Sequence, residues 1–477
     1  MFFFFSIVFF FVVFFFFYAN IFFIKNFVII VNLSIYISSI LFFVFYDSFY
    51  LTQQFIYFFS YVDFFFVFGL DGISILFIFL TSFLFSVCFL FNYKTMYLNM
   101  RLYIITLFLL EILLLFVFSI QDFFLFYIAF EAILLPIFLF IGIFGSRKRK
   151  IHAGYLLFFY TFFGSLLMLL TFLLIFSSTG SFYFDLLSNS EFSFFKENFI
   201  FLSIFFSFAI KVPMFPFHIW LPEAHVEAPT EGSVVLAGVL LKLGGYGFLR
   251  ISIPIFFKTT LFFIPFIFLI CIIGIVYTSF ITLRQHDLKK IVAYSSIAHM
   301  NIAIAGLFSF DFSSIIGSFL VFLSHGFISG SLFFLIGILY EKTKTRELKY
   351  YSGLVYLMPL TSFFFFIFII SNISIPGSLS FIGEFLILSS LFFFSKLLFF
   401  VVLIGIFICT IYSLLLFTKL FYGIINYNYI YSLTDLIRLE FNIFIPNVFF
   451  ILFYGLFPSF LIKQIELSLV VSTLQLY

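Results

Sequence analysis

Near-continuous apolar runs of about 20 residues recur from one end of the chain to the other, separated by short polar segments. At 1.5 Å rise per residue, such runs match the roughly 30 Å hydrocarbon core of a bilayer. The ten-residue alternation of membrane β-strands is absent. The pattern predicts an all-α membrane protein with about fourteen transmembrane helices. They fall near residues 1–18, 21–43, 70–92, 103–119, 122–145, 153–177, 198–226, 231–251, 260–283, 290–309, 313–340, 355–393, 397–424 and 443–463. The seventh and twelfth exceed one crossing, and each carries a break: Pro213 to Pro216 in the first case, Asn372 to Gly377 in the second.

Composition agrees, since 65% of the 477 residues are hydrophobic and 9% are charged. The 97 phenylalanines read as codon bias in an A+T-rich organellar genome, with Phe serving as a generic lipid-facing residue. Met1–Tyr18 has no basic region and does not read as a signal peptide. Cys88, Cys271 and Cys409 stand singly in apolar stretches, without the spacing of an iron–sulfur or zinc site, and read as small buried hydrophobes.

Charge adds the topology. Loops after odd-numbered spans hold Lys94, Arg101, Arg147 to Lys150, Arg284, Lys289, Lys290, Lys342, Lys344, Arg346 and Lys349. Loops on the other side hold only Lys196, Arg250, Lys258 and Lys396. That asymmetry is the positive-inside pattern, and the acidic loop from Glu223 to Glu231 weighs little against it. The breaks lie five spans apart, which suggests two inverted five-helix repeats, each with a broken helix, a layout that marks transport sites. The expected divisions are 1–102 (N-terminal helices), 103–251 (first repeat), 252–424 (second repeat) and 425–477 (last helix and tail).

Few ionisable groups fall inside the spans: Glu111, Glu131, Lys211, Lys242, Glu384, His218, His299 and His325. At roughly 3 kcal/mol each, the five acids and lysines alone would cost about 15 kcal/mol, comparable to the net stability of a domain. They must be paired, hydrated or neutral. Glu131 and Lys211 make natural partners, either as a structural ion pair or as part of a charge pathway. Lys242 has no acid within helical reach, which suits a group that accepts and releases protons. Gly244-Gly245-Tyr246-Gly247 reads as close helix packing, not as a phosphate loop. His299 with Ser295 and Ser296, and His325 with Ser324 and Ser329, can carry protons through waters or act as polar glue. His218 sits by the first break, Glu384 occupies the second repeat's counterpart of the Lys211 region, and His152, His225 and His286 read as solvated loop residues. A bis-histidine haem on His299 and His325 finds no further support.

The stretches FYIAFEAILLPIFLF, KVPMFPFHIWLPEAHVEAPTEGSVVLAGVLLKLGGYGFLR, RQHDLKKIVAYSSIAHMNIA, SHGFISGSLFFLIGILY and ISIPGSLSFIGEF resemble the antiporter-like membrane subunits of respiratory complex I (NADH:ubiquinone oxidoreductase). The likeness covers about Glu111 to Pro458, and Glu384 stands where the family typically has Lys. It implies a proton-translocating subunit of the mitochondrial inner membrane, with basic loops toward the matrix. It assigns proton translocation to Glu131, Lys211, Lys242 and Glu384, and a supporting polar axis to Glu111, His218, His299 and His325. No cofactor or metal is expected in this chain, and FMN, iron–sulfur clusters and ubiquinone would lie in other subunits. Expected partners are the chain 2-like and chain 5-like antiporter subunits, protons and membrane lipids such as cardiolipin, with no nucleic acid. A self-contained cation/proton antiporter and a purely structural membrane subunit are the alternative readings.

Overall fold

The computed structural model describes residues 21–48, 53–61, 64–93, 99–190, 192–425 and 433–474. The first predicted span, 1–18, lies outside them. The chain opens with α1 (Ile21–Phe45), a hairpin of β1 (Gln54–Tyr61) and β2 (Phe64–Leu70), α2 (Gly72–Asn92) and α3 (Met100–Ser119). Next come α4 (Phe123–Ala132), α5 (Leu134–Phe144) and α6 (Lys150–Thr179), then α7 (Phe194–Lys211) and α8 (Trp220–Glu227). The second half holds α9 (Thr230–Ile255), α10 (Phe257–Arg284), α11 (Leu288–Leu307) and α12 (Phe312–Thr343). It ends with α13 (Pro359–Asn372), α14 (Leu379–Phe394), α15 (Lys396–Phe421), α16 (Arg438–Leu456) and α17 (Ser459–Leu474).

Ten of the described helical segments, α4 and α5 counted as one, are long and apolar enough to cross a membrane. Three more predicted spans are helical where expected: α11, which carries two lysines and a histidine, and the interrupted pairs α7/α8 and α13/α14. Pro213 and Pro216 end α7, because proline has no N–H to continue the ladder. Pro136 acts more gently: it cannot bond to Ala132, and the helix pauses at Ile133 between α4 and α5.

Loop contacts carry the sidedness. Loops after odd-numbered predicted spans touch one another: Ser146 N donates to Glu227 O (3.4 Å), Leu288 N to Arg346 O (3.0 Å) and Leu348 N to His286 O (2.9 Å). Loops after even-numbered spans do the same, with Gln121 N donating to Val67 O (3.0 Å) and Phe184 N to Gln121 O (3.2 Å). A miscount by one helix would put these partners on opposite faces.

α2, α9 and α12 are buried almost throughout and form the centre, while α1 and α6 are buried over only about a third of their length or less. Two elements depart from expectation. The hairpin β1–β2 interrupts an otherwise helical chain, in an aromatic-rich stretch whose periodicity does not separate strand from helix. The predicted span 443–463 is two helices, because α16 stops at Leu456, just ahead of Pro458. α17 then packs on α2, so closely that any side chain at Gly72 would meet the Gln464 carbonyl.

Candidate functional site: a buried polar row

Glu111, Lys242, His299 and His325 each lie near the midpoint of their helices, and the packing of α9, α12 and α11 brings the last three together. Lys242 is fully buried. It follows a π-helical turn, Leu236–Leu240, and a second one, Phe248–Ser252, closes the α-helical stretch around it. π-turns widen a helix and leave carbonyls off the regular ladder. The Lys242 ammonium uses one, donating to Ala237 O at 2.5 Å, and contacts His325 Nδ1 at 2.9 Å. The glycines beside it serve close packing as expected: a side chain at Gly244 would strike Val212, and one at Gly247 would strike the Phe208 ring.

The row continues across α12, α11 and α14. The rings of His325 and His299 have centroids 6.1 Å apart. His299 Nδ1 meets Glu384 Oε1 at 3.0 Å, with both side chains buried. Glu384 follows the second break by one helical turn, and there Ser380 Oγ donates to the freed Ser371 carbonyl at 2.5 Å. Five ionisable or proton-carrying side chains from five helices thus form a near-continuous line: Lys242, His325, His299, Glu384, and at its side Cys409, 3.5 Å from His299 Nε2. Cys409 is therefore more than the buried hydrophobe its sequence context suggests.

The other predicted residues are distributed differently. Lys211 is buried at the end of α7, where the Trp220 indole N–H donates to Ile210 O (3.0 Å) and Met214 N to Ala209 O (2.8 Å), closing the broken helix. Among the described residues no salt bridge joins Lys211 to Glu131. The ammonium sits over the Phe130 ring, 4.4 Å from its centroid, with Glu131 as an electrostatic neighbour. The expected direct pair is thus a cation–π contact plus a longer-range attraction. Glu111 is fully buried and takes both oxygens to Asn32 Nδ2, at 2.7 and 2.8 Å. His218 packs beside Phe215 and Tyr277, at the break and away from the row of contacts just described.

Three readings of loops are corrected. His225, expected to be solvated, is fully buried and stacked on Phe333 with centroids 4.8 Å apart. Glu227 and Glu231, expected in an acidic loop, are buried as well. Lys289 and Arg346, counted as loop charges, turn inward: Lys289 Nζ donates to Ala228 O at 2.8 Å, and Arg346 donates to Val226 O and to Ser146 Oγ. Burial, then the nearby Arg147 charge, holds the Arg346 guanidinium below its ordinary pKa. The run His225-Val-Glu227-Ala-Pro-Thr-Glu231 next to an interrupted helix was the available signal. It was masked by the usual equation of charged loops with water.

The comparisons with known proteins bear on this arrangement. Residues 120–411 match the family model described as NADH:quinone oxidoreductase/Mrp antiporter, transmembrane. The chain is 44% identical over 448 residues to NADH-ubiquinone oxidoreductase chain 4 of Chondrus crispus, covering 93% of this chain and 91% of the relative. It is 47% identical over 391 residues to the protein of the same name from Arabidopsis thaliana, covering 82% and 79%. In structure it matches a chain of respiratory complex I from Thermus thermophilus with bound NADH, with a TM-score of 0.86 at 26% identity, over 94% of this chain and 95% of that one. A chain of an Mrp complex from a Dietzia species shares the fold, with a TM-score of 0.83 at 18% identity, over 94% and 91%.

Proposed function

The chain belongs to the NADH:quinone oxidoreductase/Mrp antiporter transmembrane family, and from that premise we propose that it is the proton-translocating chain 4-type core subunit of mitochondrial complex I. The observation that carries the reading is the Lys242–His325 contact continuing through His299 to Glu384. Charges at that depth are costly and survive where they line a pathway. Histidine suits the middle of such a row, because one ring nitrogen takes a proton while the other releases one.

In this reading Lys242 exchanges its proton with His325, which passes charge to His299 and on to Glu384. Glu131 and Lys211 bias the entry to that row: a positive charge at Lys211 held toward Glu131 leaves Lys242 free to release its proton, and one moved inward repels it. Each proton moved against roughly 180 mV requires about 4 kcal/mol, at roughly 2.3 kcal/mol per 100 mV. Changing one poorly solvated charge contact supplies an effect of that size. Glu111 and His218 act as supporting polar groups.

The oxidation of NADH, with its flavin, iron–sulfur clusters and ubiquinone, belongs to other subunits in this proposal. Neighbours are the chain 2-like and chain 5-like membrane subunits. The exposed run Arg147 to Arg149 faces the matrix and the anionic headgroups of lipids such as cardiolipin. The test is neutralisation of Lys242 or Lys211 in the assembled complex: the reading requires loss of proton movement, and normal pumping would leave a purely structural subunit.

A further inference from the structure

One flank of His299 has no role in the proton row. The Cys409 sulfur lies 3.5 Å from His299 Nε2 and accepts a 2.9 Å hydrogen bond from the Tyr412 hydroxyl, one turn away on α15. Ser295, one turn before His299 on α11, is an electrostatic neighbour of the same hydroxyl. Cys409 thus links His299 on α11 to Tyr412 on α15. Cys409 and Tyr412 are both buried to 4% exposure, so bulk water does not take over these contacts. On the opposite edge of the imidazole, Nδ1 faces Glu384 Oε1 at 3.0 Å.

For the neutral ring the contacts fit one hydrogen arrangement: the Glu384 carboxylate oxygen accepts from Nδ1–H, and Nε2 is left as an acceptor. The sulfur already accepts from Tyr412; its S–H has two acceptors in reach, Nε2 at 3.5 Å and the Asn372 carbonyl at 3.9 Å, and Nε2 is the nearer. An imidazole turned half a revolution about Cβ–Cγ presents carbon where nitrogen stood. Here that turn breaks the Glu384 contact and the sulfur contact together. We propose that Cys409, held by Tyr412, is a positioning residue that fixes the ring orientation and tautomer of His299 in the proton row. The titratable groups facing His299 are Glu384 on α14, Cys409 on α15 and, on α12, His325 with Lys242 behind it.

The inference rests on the proton-row reading, and the test separates the two. Cys409→Ala, Cys409→Ser, Tyr412→Phe and, as reference, Lys242→Met are made in the whole complex. Pumping coupled to NADH oxidation is followed against pH in sealed vesicles. Cys409→Ala should slow pumping about threefold and move its pH profile by about half a pH unit, the size of one weak sulfur hydrogen bond. Cys409→Ser, which keeps a donor, should restore both, and Tyr412→Phe should move the profile in the same direction as Cys409→Ala. A wild-type profile in Cys409→Ala overturns the inference, as does Cys409→Ser displaced as far as Cys409→Ala, which marks mere packing. If Cys409→Ala does not assemble, Tyr412→Phe decides, and a wild-type profile there overturns the inference. Normal pumping in Lys242→Met would instead sink the proton row itself.

Discussion

Replacing Lys242 with Met removes the proton carrier and keeps most of its shape. The structure sets the stability side. Loss of the ammonium leaves Ala237 O and His325 Nδ1 without their donor, at about 1–3 kcal/mol each. Against this, the variant no longer desolvates a buried charge, which costs several kcal/mol. The terms oppose each other, so the complex is predicted to assemble with near-normal melting behaviour. Function should not survive, because a positioned proton-transfer group contributes roughly 10²–10⁴-fold. The assay is quinone-linked NADH oxidation together with proton uptake in sealed vesicles, normalised to assembled complex. Lys242→Arg sharpens it: the guanidinium stays charged and does not release its proton. If Lys242 serves only as a buried positive charge, Arg restores pumping, and if it exchanges protons, Arg fails as Met does. Full pumping in a well-assembled Met variant would refute the reasoning.

Other outcomes follow from the same geometry. Glu131→Gln should assemble normally, because no salt bridge to Lys211 is lost, yet suppress pumping; a well-assembled variant that pumps fully would remove Glu131 from the switch. Asp71→Asn removes the opposing charge 2.6 Å from Arg250, in a pair with side chains 11% and 14% exposed, leaves the guanidinium only neutral partners such as Gln121, and should cost about 3 kcal/mol of stability. The readout is the melting temperature of the membrane arm, with pumping per surviving complex unchanged, and an unshifted melt would contradict it. Gly247→Val forces a side chain into the Phe208 ring and should destabilise by about 1–3 kcal/mol through overpacking. A pulse of increasing denaturant reads that loss, and wild-type resistance would show that α7 and α9 can separate freely. Labelling of exposed lysine at Lys148 from the matrix side should succeed in inside-out vesicles and fail in sealed right-side-out ones, and the reverse would invert the proposed orientation.

Much of this protein was legible in one dimension. Apolar runs of spanning length require helices, because backbone polar groups in lipid must be satisfied within the segment itself. The prolines at 213, 216 and 376 mark the interruptions by a local rule, the missing N–H. The mid-span acids, lysines and histidines stand out because their burial cost holds whatever they touch. Which of them meet is another matter. Lys242 and His325 are 83 residues apart, His299 and Glu384 85, and Cys409 and His299 110. No local periodicity encodes such pairings. Packing of α9, α11, α12, α14 and α15 placed His325 between Lys242 and His299, and it set Lys211 over Phe130 instead of against Glu131. Packing also buried His225, Glu227 and Glu231, because the broken helix folds their segment back against α12 and the inward-turned Lys289. Local backbone chemistry decides where a helix starts and stops; the identity of a side chain's neighbour depends on how whole helices pack, and that is settled only in three dimensions.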